Sequence, residues 1–141
     1  DEICETTSRG MFVTMIVGVY DKNKNELLLA NAGHEPPLIF SKDGNFKTID
    51  EAGPPLGIAP NFKFTEQIIS FKESSMYIFT DGITEMKNNN GEMLGQEGFQ
   101  DYIKKYQTTP NNKRLQKMIE DLISSGRIQK DDLTIVTVDG N

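Results

Sequence analysis

The sequence predicts an α+β fold in which helices lie on antiparallel β-sheet, and three observations lead to this class. Short apolar runs, separated by turn-forming residues, fill the chain from residue 12 to residue 80. Apolar residues then recur at helical spacing between residues 99 and 123. One more short apolar run follows at residues 134–138. With 141 residues and neither a repeat nor an internal linker, the chain is expected to form a single domain over residues 1–141.

The first four apolar runs predict two β-hairpins. Residues 12–20 are apolar at both alternating sets of positions, which predicts a central strand that is covered on two sides. Residues 26–31 follow after a polar turn and are expected to pair with that strand in antiparallel fashion. Residues 38–40 and 46–49 are expected to form the second hairpin, because the turn between them contains an Asp-Gly dipeptide.

Two further strands are predicted before the helices, over residues 64–71 and 76–80, and the second of them ends abruptly at Asp81 and Gly82. A buried strand that presents a carboxylate at its end can position a catalytic or metal-binding group. Gly82 would allow the backbone to turn sharply or to approach a ligand closely. The same dipeptide is also common in plain turns, so this stretch by itself leaves both interpretations open.

Two helices and a last strand complete the predicted elements. Their apolar faces are Phe99, Tyr102, Ile103 and Tyr106 in the first helix, and Leu115, Met118, Ile119, Leu122 and Ile123 in the second. Asn111 or Asn112 is expected to cap the second helix, and Gly126 is expected to end it. The final strand over residues 134–138 directly follows an acidic segment, Asp131-Asp132-Leu133.

The three aspartates beside strands 76–80 and 134–138 form a candidate metal site. If these strands are antiparallel neighbours, Asp81 lies at the same edge of the sheet as Asp131 and Asp132. Crowded carboxylates repel one another unless a cation lies between them, and hard oxygen ligands suit Mg²⁺ or Mn²⁺. A solvated acidic pair before a strand would explain Asp131 and Asp132 without a metal, and the spacing alone favours that explanation.

Composition excludes several other functions. The net charge is −6 and no basic run is longer than Lys104-Lys105, which argues against nucleic acid and anionic membranes as partners. The longest apolar stretch is too short to span a membrane, and the single cysteine, Cys4, fits a reducing, cytoplasmic compartment. Neither a nucleophile motif nor zinc-ligand spacing is present. The one histidine, His34, lies in a turn, where a structural hydrogen bond is its commoner role.

Five short strings occur in order along nearly the whole chain. They are MFVTM at residues 11–15, NAGHEPPL at 31–38, GPPLGI at 53–58, FTDGITE at 79–85 and DDLT at 131–134. As an ordered set they are specific, and they resemble the bacterial metal-dependent serine/threonine phosphatases of the SpoIIE type, a branch of the protein phosphatase 2C (PPM) family.

The resemblance implies a fold and a mechanism. The expected fold is an αββα sandwich of two antiparallel sheets flanked by helices, with two Mn²⁺ or Mg²⁺ ions at one edge. These ions activate a water molecule that attacks phosphorus directly, so no side chain acts as nucleophile. Matched residue by residue, Asp81 and Asp131 correspond to metal-binding aspartates. The other matched positions are expected to support the site or to lie beside it: Thr80, Gly82, Glu85, Asp132 and His34.

The resemblance also implies that part of the family domain is not included. Residues 1–15 match neither the family's early acidic strand motif nor its Asp-plus-Gly motif before a long helix. The chain is therefore expected to be the C-terminal portion of a phosphatase domain, incomplete at its N-terminus, with weak metal binding and little activity of its own. Open sheet edges are expected to favour a homodimer.

Two functions follow as hypotheses. The first is metal-dependent hydrolysis of phosphoserine or phosphothreonine on a regulatory protein, by resemblance an anti-sigma-factor antagonist, in a parent that often carries an N-terminal sensor domain. The alternative is a non-catalytic regulatory or scaffolding module of the same fold that has lost the metals. The presence of both Asp81 and Asp131 favours the enzyme.

Overall fold

A computed structural model describes residues 1–6, 10–50 and 52–140 and shows two antiparallel sheets with helices, as expected for the α+β class. The helices are α1 (Glu2–Thr6), α2 (Asp81–Thr84), α3 (Gly95–Lys105) and α4 (Asn111–Ser124). The strands are β1 (Met15–Asp21), β2 (Glu26–Ala32), β3 (Leu38–Ser41), β4 (Phe46–Thr48), β5 (Gln67–Ser70), β6 (Ser74–Phe79) and β7 (Ile135–Asp139). None of the helices in these ranges has the length and apolar character that a membrane span requires.

The first sheet has the strand order β1-β2-β5, and both pairs are antiparallel. Its strands agree with the predicted ones, although β5 is shorter than the predicted strand over residues 64–71. The prediction of a central, doubly covered first strand is wrong. Strand β1 lies at the edge of the sheet, and Val17 and Val19 are 55% and 65% exposed. The apolar pattern indicates side chains suited to burial. Among the described strands, however, β1 pairs only with β2, and no described element covers its outer face.

The second sheet has the order β4-β3-β6-β7, again entirely antiparallel. Its central strand β6 alternates between two cores, because successive side chains of a strand point to opposite faces. Tyr77 and Phe79 pack in the core beneath α3 and α4. Met76 lies in the other core, which also contains Leu27 and Leu29 of the first sheet. Strand β6 is therefore held by packing on both faces and by ladders on both sides.

Helices α3 and α4 cover the second sheet through a buried apolar face that includes Phe99, Ile103, Met118 and Leu122. Ile123, predicted to belong to this face, is exposed instead, because it lies one residue beyond Leu122 and so points away from the core.

The boundaries of α4 also differ in part from the prediction. The residue before the helix is Pro110, whereas Asn111 and Asn112 are already helical and provide no side-chain cap. The fixed φ of proline suits a helix start without a capping side chain. Gly126 follows the helix with φ of +74°, as expected for a helix-ending glycine.

Candidate active site

The register of β6 and β7 determines where the acidic residues lie. Phe79, the last residue of β6, pairs with Ile135, the first residue of β7. Asp81 follows two positions after Phe79 and begins α2, while Asp131 and Asp132 precede Ile135. The strands are antiparallel neighbours, as the sequence-based argument required, so the two acidic segments meet at one edge of the sheet.

Thr80 fastens the two acidic segments to each other. Its backbone N–H donates to the carbonyl of Thr134 at 3.2 Å. Its hydroxyl donates to the carbonyl of Asp132 at 3.1 Å and accepts from the backbone N–H of Thr134 at 3.2 Å. A side chain thus continues the hydrogen bonding of the β6–β7 ladder past the point where α2 begins.

Gly82 is buried and lies directly against the second acidic segment. A Cβ atom at this position would overlap the carbonyl oxygen of Asp132 and lie 3.5 Å from the carbonyl carbon of Asp131. Gly82 is not among the residues with positive φ, so a sharp turn is not the reason for the glycine. The reason is a close approach, one of the two roles that the sequence left open, and the group that approaches is the backbone at Asp131 and Asp132.

The three aspartates are exposed and differ in how they are held. The Asp131 carboxylate accepts a hydrogen bond from the backbone N–H of Asp132 at 2.8 Å. The Asp81 carbonyl accepts from the N–H of Glu85 at 2.8 Å, which closes the single turn of α2. Hydrogen bonds to the Asp81 carboxylate are not seen within residues 1–6, 10–50 and 52–140, so its oxygens are available to a ligand from solvent.

The donor set can be compared with the needs of a divalent metal. Asp81 and Asp131 offer exposed hard oxygens, the ligand type that Mg²⁺ and Mn²⁺ prefer. Over the described part of the chain, however, no group of three or more His, Cys, Asp or Glu residues is arranged to hold a metal ion. The aspartates therefore have the right chemistry for such an ion but form only part of the roughly six-ligand shell that it needs.

A cavity of about 200 Å³ lies beside Asp81 and is lined by Thr14, Gly33, His34, Glu35, Thr80 and Asp81. Antiparallel pairing of β1 and β2 brings Thr14 and the loop after Ala32 to this edge. Asp131, Asp132 and Glu85 are not part of the lining, so the predicted site residues do not all meet in one cavity. A larger cavity of about 330 Å³ beside α1 contains none of the predicted site residues.

Sequence reasoning gave Thr14, Asn31 and Glu35 no role in the site. Thr14 Oγ1 lies 3.1 Å from His34 Nδ1. The side chain of Asn31, which is 2% exposed, accepts from the backbone N–H of His34 at 2.9 Å and donates to its carbonyl at 3.0 Å. The sequence feature that could have identified these three residues is that they belong to the strings at residues 11–15 and 31–38.

Comparisons with known proteins agree with this architecture. The sequence profile of the family described as Stage II sporulation protein E (SpoIIE) matches residues 1–140. Protein IcfG of Synechocystis is 31% identical over 136 residues, which cover 91% of this chain and 20% of IcfG. Phosphoserine phosphatase RsbU of Bacillus subtilis is 26% identical over 137 residues, which cover 95% of this chain and 41% of RsbU. The chain thus spans well under half the length of both relatives.

The fold is shared with a solved phosphatase domain. The phosphatase domain of the cell fate determinant SpoIIE from Bacillus subtilis, presoaked with Mn, superposes with a TM-score of 0.66 at 18% identity. The match covers 91% of this chain and 56% of that chain. The family profile covers nearly every residue, and the fold agrees with that of a family phosphatase domain. The chain is therefore a member of the SpoIIE family and corresponds to part of its protein phosphatase 2C-like domain.

Proposed function

We propose that the protein containing this chain is a metal-dependent protein serine/threonine phosphatase, and that the sheet edge with Asp81 and Asp131 is part of its active site. The observation that carries the proposal is the β6–β7 register, which brings the two acidic segments together. Membership of a family that includes a phosphoserine phosphatase, RsbU, supports the reaction class.

Asp81 and Asp131 would hold Mn²⁺ or Mg²⁺ at this edge. When bound, such an ion supplies an activated water molecule and neutralises charge that develops on phosphoryl oxygens. The metal choice is supported by the Mn presoak of the SpoIIE phosphatase domain. The chain's own contribution is to hold the aspartates: Thr80 ties the segment at Asp132 to the end of β6, and Gly82 leaves room for it.

The substrate that we propose is a phosphoserine or phosphothreonine on a regulatory protein. The relative RsbU is named as a phosphoserine phosphatase, which supports this substrate class. The cavity beside Asp81 opens at the surface, so a side-chain phosphate on a folded partner can reach it without a deep channel. We further propose an anti-sigma-factor antagonist as the partner, on the basis of the family resemblance. We propose a cytoplasmic location on the basis of composition.

The test compares the full-length protein with Asp81→Asn and Asp131→Asn variants. Wild-type protein is expected to hydrolyse a phosphoserine peptide and p-nitrophenyl phosphate in the presence of Mn²⁺. Each variant is expected to lose Mn²⁺ affinity by about 10-fold or more, because even residues that only orient a metal ligand contribute about 10- to 100-fold. Calorimetric titration with Mn²⁺ measures this apart from activity.

Asp43→Asn is the matched control, since Asp43 is an exposed carboxylate in the β3–β4 turn. Unchanged Mn²⁺ affinity in both test variants would contradict the assignment of ligands. A folded full-length protein without Mn²⁺-dependent turnover would instead favour the non-catalytic module. One observation supports that alternative: the described residues contain no group of three or more His, Cys, Asp or Glu residues arranged to hold a metal ion. The 141-residue chain alone is expected to have little activity, and turnover equal to that of the full-length protein would contradict this.

A further inference from the structure

His34 lies in a loop whose backbone is held at several points. The buried side chain of Asn31 hydrogen bonds to both the N–H and the carbonyl of His34. Gly33 has φ of +69°, and a Cβ there would lie 2.6 Å from the ring of Pro55. Left-handed backbone against a proline ring suits only glycine. The backbone at His34 is thereby fixed next to Asp81, although the histidine is only half-buried and adds little to a core.

The imidazole ring is also oriented. His34 Nδ1 lies 3.1 Å from Thr14 Oγ1. The backbone before Thr14 is held as well, because Val13 and Leu56 exchange two backbone hydrogen bonds of 2.9 and 2.8 Å. The tautomer decides which atom donates in this contact. When the hydroxyl donates to Nδ1, or when both ring nitrogens are protonated, Nε2 carries a proton and is a hydrogen-bond donor. Within the described ranges, Nε2 has no hydrogen-bond partner.

Among the described residues that line the cavity, His34 is the one with a side-chain N–H donor. Its two charged lining residues, Glu35 and Asp81, are acidic and would repel a phosphate dianion. Within residues 1–6, 10–50 and 52–140, neither lysine nor arginine lines it, and of the lining side chains in these ranges only that of His34 carries a nitrogen. The hydroxyl of Thr80 is already engaged with Asp132 and Thr134. A phosphoryl group beside Asp81 would therefore find its side-chain N–H donor at His34.

From this geometry we propose that His34 binds the phosphoryl group of the substrate, donating a hydrogen bond from Nε2 to a phosphoryl oxygen, with Thr14 setting the ring orientation. This assignment rests on the proposed phosphatase function, and it names a substrate contact that the aspartates cannot provide. Inorganic phosphate, the product of the reaction, should bind through the same contact.

The test uses the full-length, Mn²⁺-loaded protein with inorganic phosphate as the probe. In His34→Gln the side-chain amide reaches the position of Nε2, whereas in His34→Asn it reaches only that of Nδ1. His34→Asn is expected to weaken phosphate binding by about 10- to 100-fold, the range for a hydrogen bond to a charged group. His34→Gln is expected to stay close to wild type. Calorimetry gives the phosphate affinity, and inhibition by phosphate gives the same constant from turnover.

Further readouts separate this inference from folding effects and from the proposed function. Melting temperature and Mn²⁺ affinity are expected to be unchanged in both variants. In wild-type protein labelled with ¹⁵N-histidine, phosphate is expected to shift the Nε2 resonance of His34. Phosphate affinity that is unaffected by His34→Asn, equal losses in the two variants, or an Nε2 signal that does not respond would each overturn the assignment. Because phosphate binding is measured without turnover, an inactive wild-type protein would count against the proposed function and leave this test intact.

Discussion

At the scale of single residues, the candidate site depends on a threonine and a glycine between the acidic segments. The β6–β7 ladder ends at Phe79 and Ile135, because α2 begins at Asp81 and its helical backbone cannot continue the pairing. Beyond this point the Thr80 hydroxyl connects the two segments, because it donates a hydrogen bond to the carbonyl of Asp132 and accepts one from the N–H of Thr134. Gly82 then allows the carbonyl of Asp132 to approach where any side chain would obstruct it.

Thr80→Val is expected to lower the free energy of unfolding by about 1 kcal/mol, because it removes two hydrogen bonds and leaves a backbone N–H and a carbonyl without this partner. It is also expected to weaken Mn²⁺ binding through the segment at Asp132. Thr80→Ser, which keeps the hydroxyl, is the matched control and should behave like wild type. Urea unfolding and Mn²⁺ titration measure the two effects, and equal behaviour of the valine and serine variants would show that the hydroxyl does not hold the segment.

Gly82→Ala is expected to destabilise the protein by about 1–3 kcal/mol, the usual range when a buried methyl group has no space. The obstructing atom is a backbone carbonyl oxygen, which cannot move by a simple rotamer change. Gly18→Ala is the control, because the nearest atoms to a Cβ at Gly18 lie at 3.4 Å. Thermal unfolding of both variants tests this, and a Gly82→Ala protein as stable as Gly18→Ala would contradict the close approach.

At the scale of elements, helices α3 and α4 hold the sheet that carries the site. Phe99 of α3 contacts the rings of Phe79 and Tyr77 in β6, with centroid distances of 4.8 and 6.4 Å. A second connection is polar: Arg114 of α4, which is buried, pairs with the carboxylate of Asp139 at the end of β7. The helical layer therefore contacts both strands whose register brings the acidic segments together.

Phe99→Ala is expected to lower the free energy of unfolding by about 3–5 kcal/mol, as for other large-to-small changes of a fully buried aromatic residue. Ile123→Ala is the matched control, because Ile123 was predicted to share the apolar face but is 59% exposed. Its expected change is about 0.5 kcal/mol or less. Chemical denaturation of both variants tests the assignment of the two side chains, and a large loss in Ile123→Ala would place that residue in the core.

At the scale of the whole molecule, the outer face of the first sheet is apolar and open. Val17 and Val19 of β1 and Ile68 of β5 point outwards, and Ile68 is 71% exposed. The free edge of β1 adds backbone donors and acceptors without a ladder partner among the described strands. An open edge beside an apolar face invites pairing with another chain, so a homodimer of this 141-residue chain remains a prediction.

Val19→Lys is expected to weaken self-association of the 141-residue chain, because a charge on an edge strand opposes pairing with a second strand. Ile123→Lys places the same charge on an exposed helix position and is expected to leave association unchanged. Sedimentation equilibrium over a range of concentrations measures both variants. A wild-type chain that stays monomeric at high concentration would contradict the prediction.

The sequence was sufficient for the fold class, for the order of the seven described strands and of helices α3 and α4, and for the placement of Asp81 after one strand and of Asp131 before another. These features follow from the local periodicity of apolar residues and from the order of the runs along the chain, both of which are properties of the sequence alone. The short helices α1 and α2 were not predicted. Helix-ending Gly126 and the turn residues were equally accessible, since their roles depend on the local backbone. The ordered strings also indicated the family that the comparisons then showed.

Only the tertiary structure decided which residues meet. The hydrogen bond from Thr80 to Asp132 joins residues 52 positions apart, and nothing in either local pattern encodes it. The contact of His34 with Thr14, the edge position of β1 and the exposure of Ile123 likewise depend on which surfaces pack together. The periodicity of apolar and turn-forming residues indicates which side chains are suited to burial and which are suited to a turn. What covers that side chain, or lies opposite it, is determined by contacts between distant parts of the chain.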